Sequence, residues 1–135
     1  MRGDQSSSDT HRLLPAIDID PYRETRLRWV DQSPKEVFQN WAYFFQGEDG
    51  GPIKIGCTQR WPGHRLKQAQ VGYPFSRLRV VGLILGGFLR EHDYHERFRH
   101  LRMESEWFRP EQELLDFIRS LPPPKDPGSI KLGAR

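Results

Sequence analysis

The sequence predicts a small α/β domain of the α+β kind, a three-stranded antiparallel sheet flanked by helices. Three observations lead there. "WAYFFQ" and "PIKIGC" are β-prone runs separated by "GEDGG", which reads as a Gly-rich hairpin. "RLRVVGLILGG" is a third apolar run, with Leu78, Val80 and Ile84 on one face and Val81, Leu83 and Leu85 on the other, so both faces are expected to be covered. The segments between and after these runs carry helical spacing.

Taken in order, residues 1–28 mix Ser, Asp, Arg and Pro without a period and read as a flexible leader, docking through Trp29 and Val30. Ser33-Pro34-Lys35-Glu36 has the N-cap, proline and first-turn acid of a short helix with Val37, Phe38 and Trp41 as its apolar side. The hairpin follows, and then helix signals in "GHRLKQAQ" that stop near Gly72-Tyr73-Pro74. After the third strand, ended by Gly86-Gly87, a helix is expected from Leu89 to Arg102, because Tyr94, Phe98 and Leu101 recur at i, i+4 and i+7. Pro110, Glu111 and Glu113 open a last helix with Leu114, Phe117, Ile118 and Leu121 as its core stripe. Residues 122–135, rich in Pro and Gly, read as a flexible tail, which leaves 29–121 as the folded domain with its motif core at 41–121.

At 135 residues the chain has room for one modest core. Its mean hydropathy is −0.77, and no apolar run approaches the roughly 18 residues of a membrane span. The N-terminus lacks a signal-type apolar stretch, so a cytoplasmic location is the expectation. A single cysteine, Cys57, excludes an internal disulfide and a cysteine-based zinc cage. The net charge of +3 is uneven: residues 1–40 are close to neutral, whereas Lys54 to Arg102 holds ten Lys and Arg against three acids, a net of +7. Aromatic residues lie within that basic segment, as they do in phosphate-backbone binders.

The chemistry-bearing residues cluster around the hairpin. Tyr43 and Lys54 are 11 positions apart across the Gly50-Gly51 loop and are expected to approach one another, with Lys54 lowering the phenol pKa and Gly56 leaving open backbone beside them. In "REHDYHERFRH", Glu91 and His95 stand at i, i+4 on one helix face, but the spacing is not a His-Glu-x-x-His metal motif. Each residue also has a plain structural explanation: a core aromatic, an exposed strand lysine, a packed histidine.

Together, "AYFFQGEDGGPIKIG", Arg65 and "EWF" resemble the signature of the GIY-YIG nuclease superfamily, in its compact phage and bacterial branch. Ala42-Tyr43 stands in the first tripeptide and Lys54-Ile55-Gly56 in the second, Arg65 follows Lys54 by 11 positions, and Glu106-Trp107-Phe108 supplies the late acidic element. The resemblance spans about residues 41–121. It implies Glu106 as the metal ligand for one Mg²⁺ or Mn²⁺, Arg65 on the scissile phosphate, Tyr43 activating or positioning water, Lys54 tuning that phenol or touching phosphate, and His95 as proton carrier or phosphate contact. Gly56, Arg60, His64 and Lys67 fall to nucleic-acid binding. Two features depart from the pattern: Lys54 replaces a tyrosine, and the chain has no asparagine after Asn40.

The activity implied is metal-dependent endonucleolytic hydrolysis of DNA, with RNA as the alternative partner and no membrane. The competing reading is a catalytically weak or inactive nucleic-acid-binding domain of the same fold. A pure protein-interaction scaffold would not need Lys54, Arg65 and Glu106 together.

Overall fold

The computed structural model describes residues 12–23, 41–59 and 61–124. Strands β1 (Trp41–Gly47), β2 (Ile53–Thr58) and β3 (Leu78–Leu85) form the expected antiparallel core, and helices α1 (Pro62–Val71), α2 (Gly87–Arg97) and α3 (Gln112–Ser120) flank it. The sheet has five strands rather than three. Two short ones, β4 (Arg102–Glu104) and β5 (Trp107–Phe108), extend it in the order β3-β1-β2-β5-β4. Strands of three and two residues are too short to show an alternating pattern, so "RMESEWF" carries no strand signal of its own. The helix expected to run to Arg102 stops at Arg97. A 3-10 turn, Arg99–Leu101, takes over and points Leu101, only 3% exposed, into the core before the chain enters β4.

β1 is buried at all seven positions because it is central and covered on both faces. Ala42 and Phe44 point one way, joining Ile53, Ile55 and Val81 under α2 and α3. Trp41, Tyr43 and Phe45 point the other way, joining Val80 and Leu83 under Leu66 and Ala69 of α1. Phe44 and Phe45 are fully buried, each stabilising the fold by about 2–3 kcal/mol of removed apolar surface. The strands pair with Tyr43 opposite Gly56 and Phe45 opposite Lys54. A register shift at Phe44/Phe45 in the β1–β3 pairing keeps both rings inside.

Residues 12–23 lie within the expected leader, yet they pack on the domain through Leu14, Ile19 and Tyr22, all buried. The Ile17 N–H donates to the Val80 carbonyl at 2.7 Å along the outer edge of β3. The fully buried Gln46 amide accepts from the Leu14 N–H at 2.9 Å and donates to the Arg12 carbonyl at 2.8 Å. The expected docking residues Trp29 and Val30 and the helix start at Ser33-Pro34 lie outside the described residues, as do positions 125–135. Among the described residues no helix is long and apolar enough to cross a membrane.

Candidate active site

β5 is so short that it pairs with β2 only at Ile53 and Lys54, and one further bond runs from the Ile55 N–H to the Glu106 carbonyl at 3.0 Å. Among the described residues no strand lies beside the outer side of β2 from Gly56 to Thr58, and the charged side chains gather there. Glu106 projects from the tight β4–β5 turn, made possible by Ser105 at φ 54°. Its Oε1 accepts a hydrogen bond from Lys54 Nζ at 2.9 Å, in an ion pair that is partly buried. Tyr43 stacks on Phe45 with ring centroids 4.1 Å apart and lays its phenol over Gly56. A Cβ at position 56 would collide with that phenol oxygen, so glycine is required for close approach and not for open backbone.

From α2, His95 Nε2 lies 2.9 Å from the Ile55 carbonyl. A carbonyl only accepts, so Nε2 carries the proton. Glu91 Oε2 sits 3.8 Å from the same nitrogen. From α1, Arg65 and His64 line a cleft of about 500 Å³ with Cys57, Thr58, Gln68 and Phe88. Arg65 is exposed and donates to Gln68 Oε1 at 3.3 Å.

The T5orf172 domain family profile matches residues 40–121, which is all of the sheet and all three helices. The chain belongs to the T5orf172 domain family. That domain occurs in phage and bacterial endonuclease-like proteins, which is consistent with a nuclease or DNA-binding role. No curated protein and no solved structure matches the chain.

Electrostatics within this T5orf172 domain distinguish the acids. Burial pushes the Glu106 carboxyl up, but the Lys54 hydrogen bond and charge outweigh it and hold the group below its ordinary value. The Glu91 carboxyl is raised, by burial first and then by the charge of Glu106, against the opposing pull of Cys57 and His95. Burial and the Glu91 carboxylate push the Cys57 thiol up to about 12, so it is no nucleophile. Tyr43 is raised well above the usual phenol value by burial, with Glu106 adding to the rise and Arg65 opposing it. The expectation that Lys54 would lower this pKa is therefore corrected. Its ammonium is committed to the Glu106 carboxylate, and Tyr43 is a neutral hydrogen-bond donor.

Of the five residues singled out as catalytic in the sequence, Lys54 bonds Glu106, Tyr43 feels the charges of Glu106 and Arg65, and His95 feels that of Glu106, although only Arg65 lines the cleft. Gly56 is a buried seat for Tyr43, a correction of its assignment to nucleic-acid contact. His64 lies in the cleft, edge-on to Trp61 at 5.4 Å. Lys67 is exposed on α1 and does not line the cleft, and Arg60 lies outside the described residues. Glu91, which the sequence set on one helix face with His95 but to which it assigned no role, also faces the site. Its only signal was the i, i+4 relation to His95. Among the described residues no group of three or more His, Cys, Asp or Glu is arranged to hold a metal ion. An ion here would be held by one ionised carboxylate, that of Glu106, which suits Mg²⁺ because that ion keeps most of its shell as water and phosphate oxygen.

Proposed function

We propose that this domain is a cytoplasmic GIY-YIG-type endonuclease that hydrolyses phosphodiester bonds in DNA with one divalent ion, Mg²⁺ or Mn²⁺. The observation that supports it most is the meeting, at the open edge of β2, of a phenol, a guanidinium and the Lys54–Glu106 pair at 2.9 Å. Glu106 would hold the ion, which supplies Lewis acidity at the phosphate. Arg65 binds a non-bridging phosphate oxygen and offsets the charge that grows in the transition state. Tyr43, as a neutral donor, orients the attacking water. The water's proton passes to Glu91, the more basic of the two carboxylates because of its burial and its acidic neighbour. His95 keeps α2 on β2 by donating Nε2–H to the Ile55 carbonyl, and so positions Glu91.

One observation favours a second reading, a DNA-binding domain with weak chemistry. Lys54 Nζ already occupies one oxygen of Glu106, and an ion must share that carboxylate with it. A cleavage screen on plasmid, linear and branched DNA with Mg²⁺ or Mn²⁺ separates the two. Glu106→Ala and Arg65→Ala should each lower the rate by about a hundredfold or more. Wild-type protein that never cuts, or cuts no faster than both variants, leaves only the binding reading.

A further inference from the structure

Two aromatic surfaces stand at opposite ends of the open β2 edge. At the hairpin end, Tyr73 stacks on Trp107, with centroids 5.2 Å apart and planes 13° from parallel, and Phe75 meets Tyr73 edge-on at 5.1 Å. The Tyr73 ring is tied to the hairpin loop, because its hydroxyl donates to the Asp49 carboxylate at 2.8 Å. Phe75 is nevertheless 74% exposed. At the other end, Phe88 is 48% exposed and lines the same cleft as Arg65. Trp107 pairs with Lys54, while the cleft reaches Thr58, four residues along β2. That is about 13 Å of strand. A cation accompanies each aromatic end: Lys54 Nζ sits 5.7 Å from the Trp107 ring centroid, and Arg65 lines the cleft beside Phe88.

Exposed aromatic faces have little to offer a closed duplex, whose bases already cover one another. They suit unstacked bases, and cations beside them suit the phosphates that join those bases. We infer that the β2 edge is a track for an unpaired DNA strand, with one base on Phe75, another on Phe88 and a phosphate of the strand on the exposed Arg65. The inference rests on the nuclease reading for its placement at a cutting site and names the substrate class: DNA that is single-stranded or frayed at the cut.

The test is binding of the full chain, without divalent ion, to a labelled single-stranded oligonucleotide and to its blunt duplex, followed by fluorescence anisotropy at fixed salt. The single strand should bind about tenfold more tightly. Phe75→Ala and Phe88→Ala should each weaken that binding about tenfold and leave duplex binding unchanged. Phe75→Trp and Phe88→Tyr should retain it, which excludes a general loss of fold. Equal or tighter duplex binding, or alanine variants that bind the single strand like wild type, overturns the inference even if duplex cutting depends on Glu106. A single-strand preference that both alanine variants abolish supports the track even if nothing is cut, and in that case only the nuclease reading fails.

Discussion

The two sides of the central hairpin end in different ways. On the β3 side, residues 12–23 cover the outer strand with a backbone bond from Ile17 N–H to Val80 O at 2.7 Å, and Gln46 and Arg79 tie that segment down from within, Arg79 Nη1 donating to the Leu14 carbonyl at 2.9 Å. On the β2 side, strand pairing runs out after Lys54, and the next backbone groups are met by Glu106 and His95. An edge closed by backbone offers nothing to a ligand and contributes stability. An edge met by the Glu106 backbone carbonyl and the His95 imidazole holds those two residues in place while leaving the charged side chains around them reachable. Changes on the β2 side should therefore cost activity more than stability, and changes on the β3 side the reverse.

The sharpest break in that contrast comes from Glu106→Gln, which keeps the side-chain shape and removes its charge. Cleavage should fall by about 10²–10³-fold, while unfolding free energy changes by only about 1 kcal/mol, the scale of a partly exposed ion pair. Chemical denaturation and single-turnover rates measured on one preparation check both halves. A loss of rate matched by an equal loss of stability would show that Glu106 is a structural residue. Gly56→Ala lies between the two classes. Its methyl must displace the Tyr43 phenol, so about 1–3 kcal/mol of stability should be lost together with a drop in kcat. Unchanged kcat in the folded fraction would remove Tyr43 from the chemistry.

Gln46→Ala probes the closed edge. It leaves the Leu14 N–H, the Arg12 carbonyl and Arg79 short of a partner, and unfolding free energy should fall by about 2 kcal/mol with kcat unchanged. A fall in kcat at saturating DNA would show that the N-terminal segment acts on the site.

This asymmetry between the edges was only partly legible in the sequence. The hairpin, the third strand and α1 follow from apolar runs bounded by glycine, because each is long enough for its period to show. The candidate site was legible as residue types in order, since Tyr43, Lys54, Arg65 and Glu106 keep meaningful intervals even where β4 and β5 do not register as strands. What was hidden depends on three-dimensional neighbours. Leu14, Ile19 and Tyr22 sit among polar residues without a period, and their burial comes from sheet residues far along the chain, Val81 among those around Leu14, Trp41 and Val80 among those around Ile19 and Tyr22. Glu91 joins Glu106 only because α2 crosses β2. The pairing of Lys54 with Glu106 instead of Tyr43 was likewise out of reach, because it is set by how far β5 extends.

The smallest expected effect is in the pH dependence. Glu106 is held below its ordinary value, so its contribution to stability is present above the unfolded carboxylate pKa of about 4.3 and is lost as pH falls through the lower folded value. Glu91 is raised, so the sign reverses. Its contribution is present below that unfolded value and is lost as pH rises through the folded one. Glu91→Gln removes the second contribution and leaves Glu106 still held down by Lys54. The variant should gain stability relative to wild type as pH rises from about 4 to neutrality, and its stability curve should diverge from the wild-type curve over that interval. Gln46→Ala, whose amide does not titrate, should run parallel to wild type. Denaturant midpoints across that range distinguish the two shapes. Parallel curves for Glu91→Gln would mean that its carboxyl is not placed against Glu106, and the β2 edge would then lose its proton acceptor while the β3 edge kept its structural role.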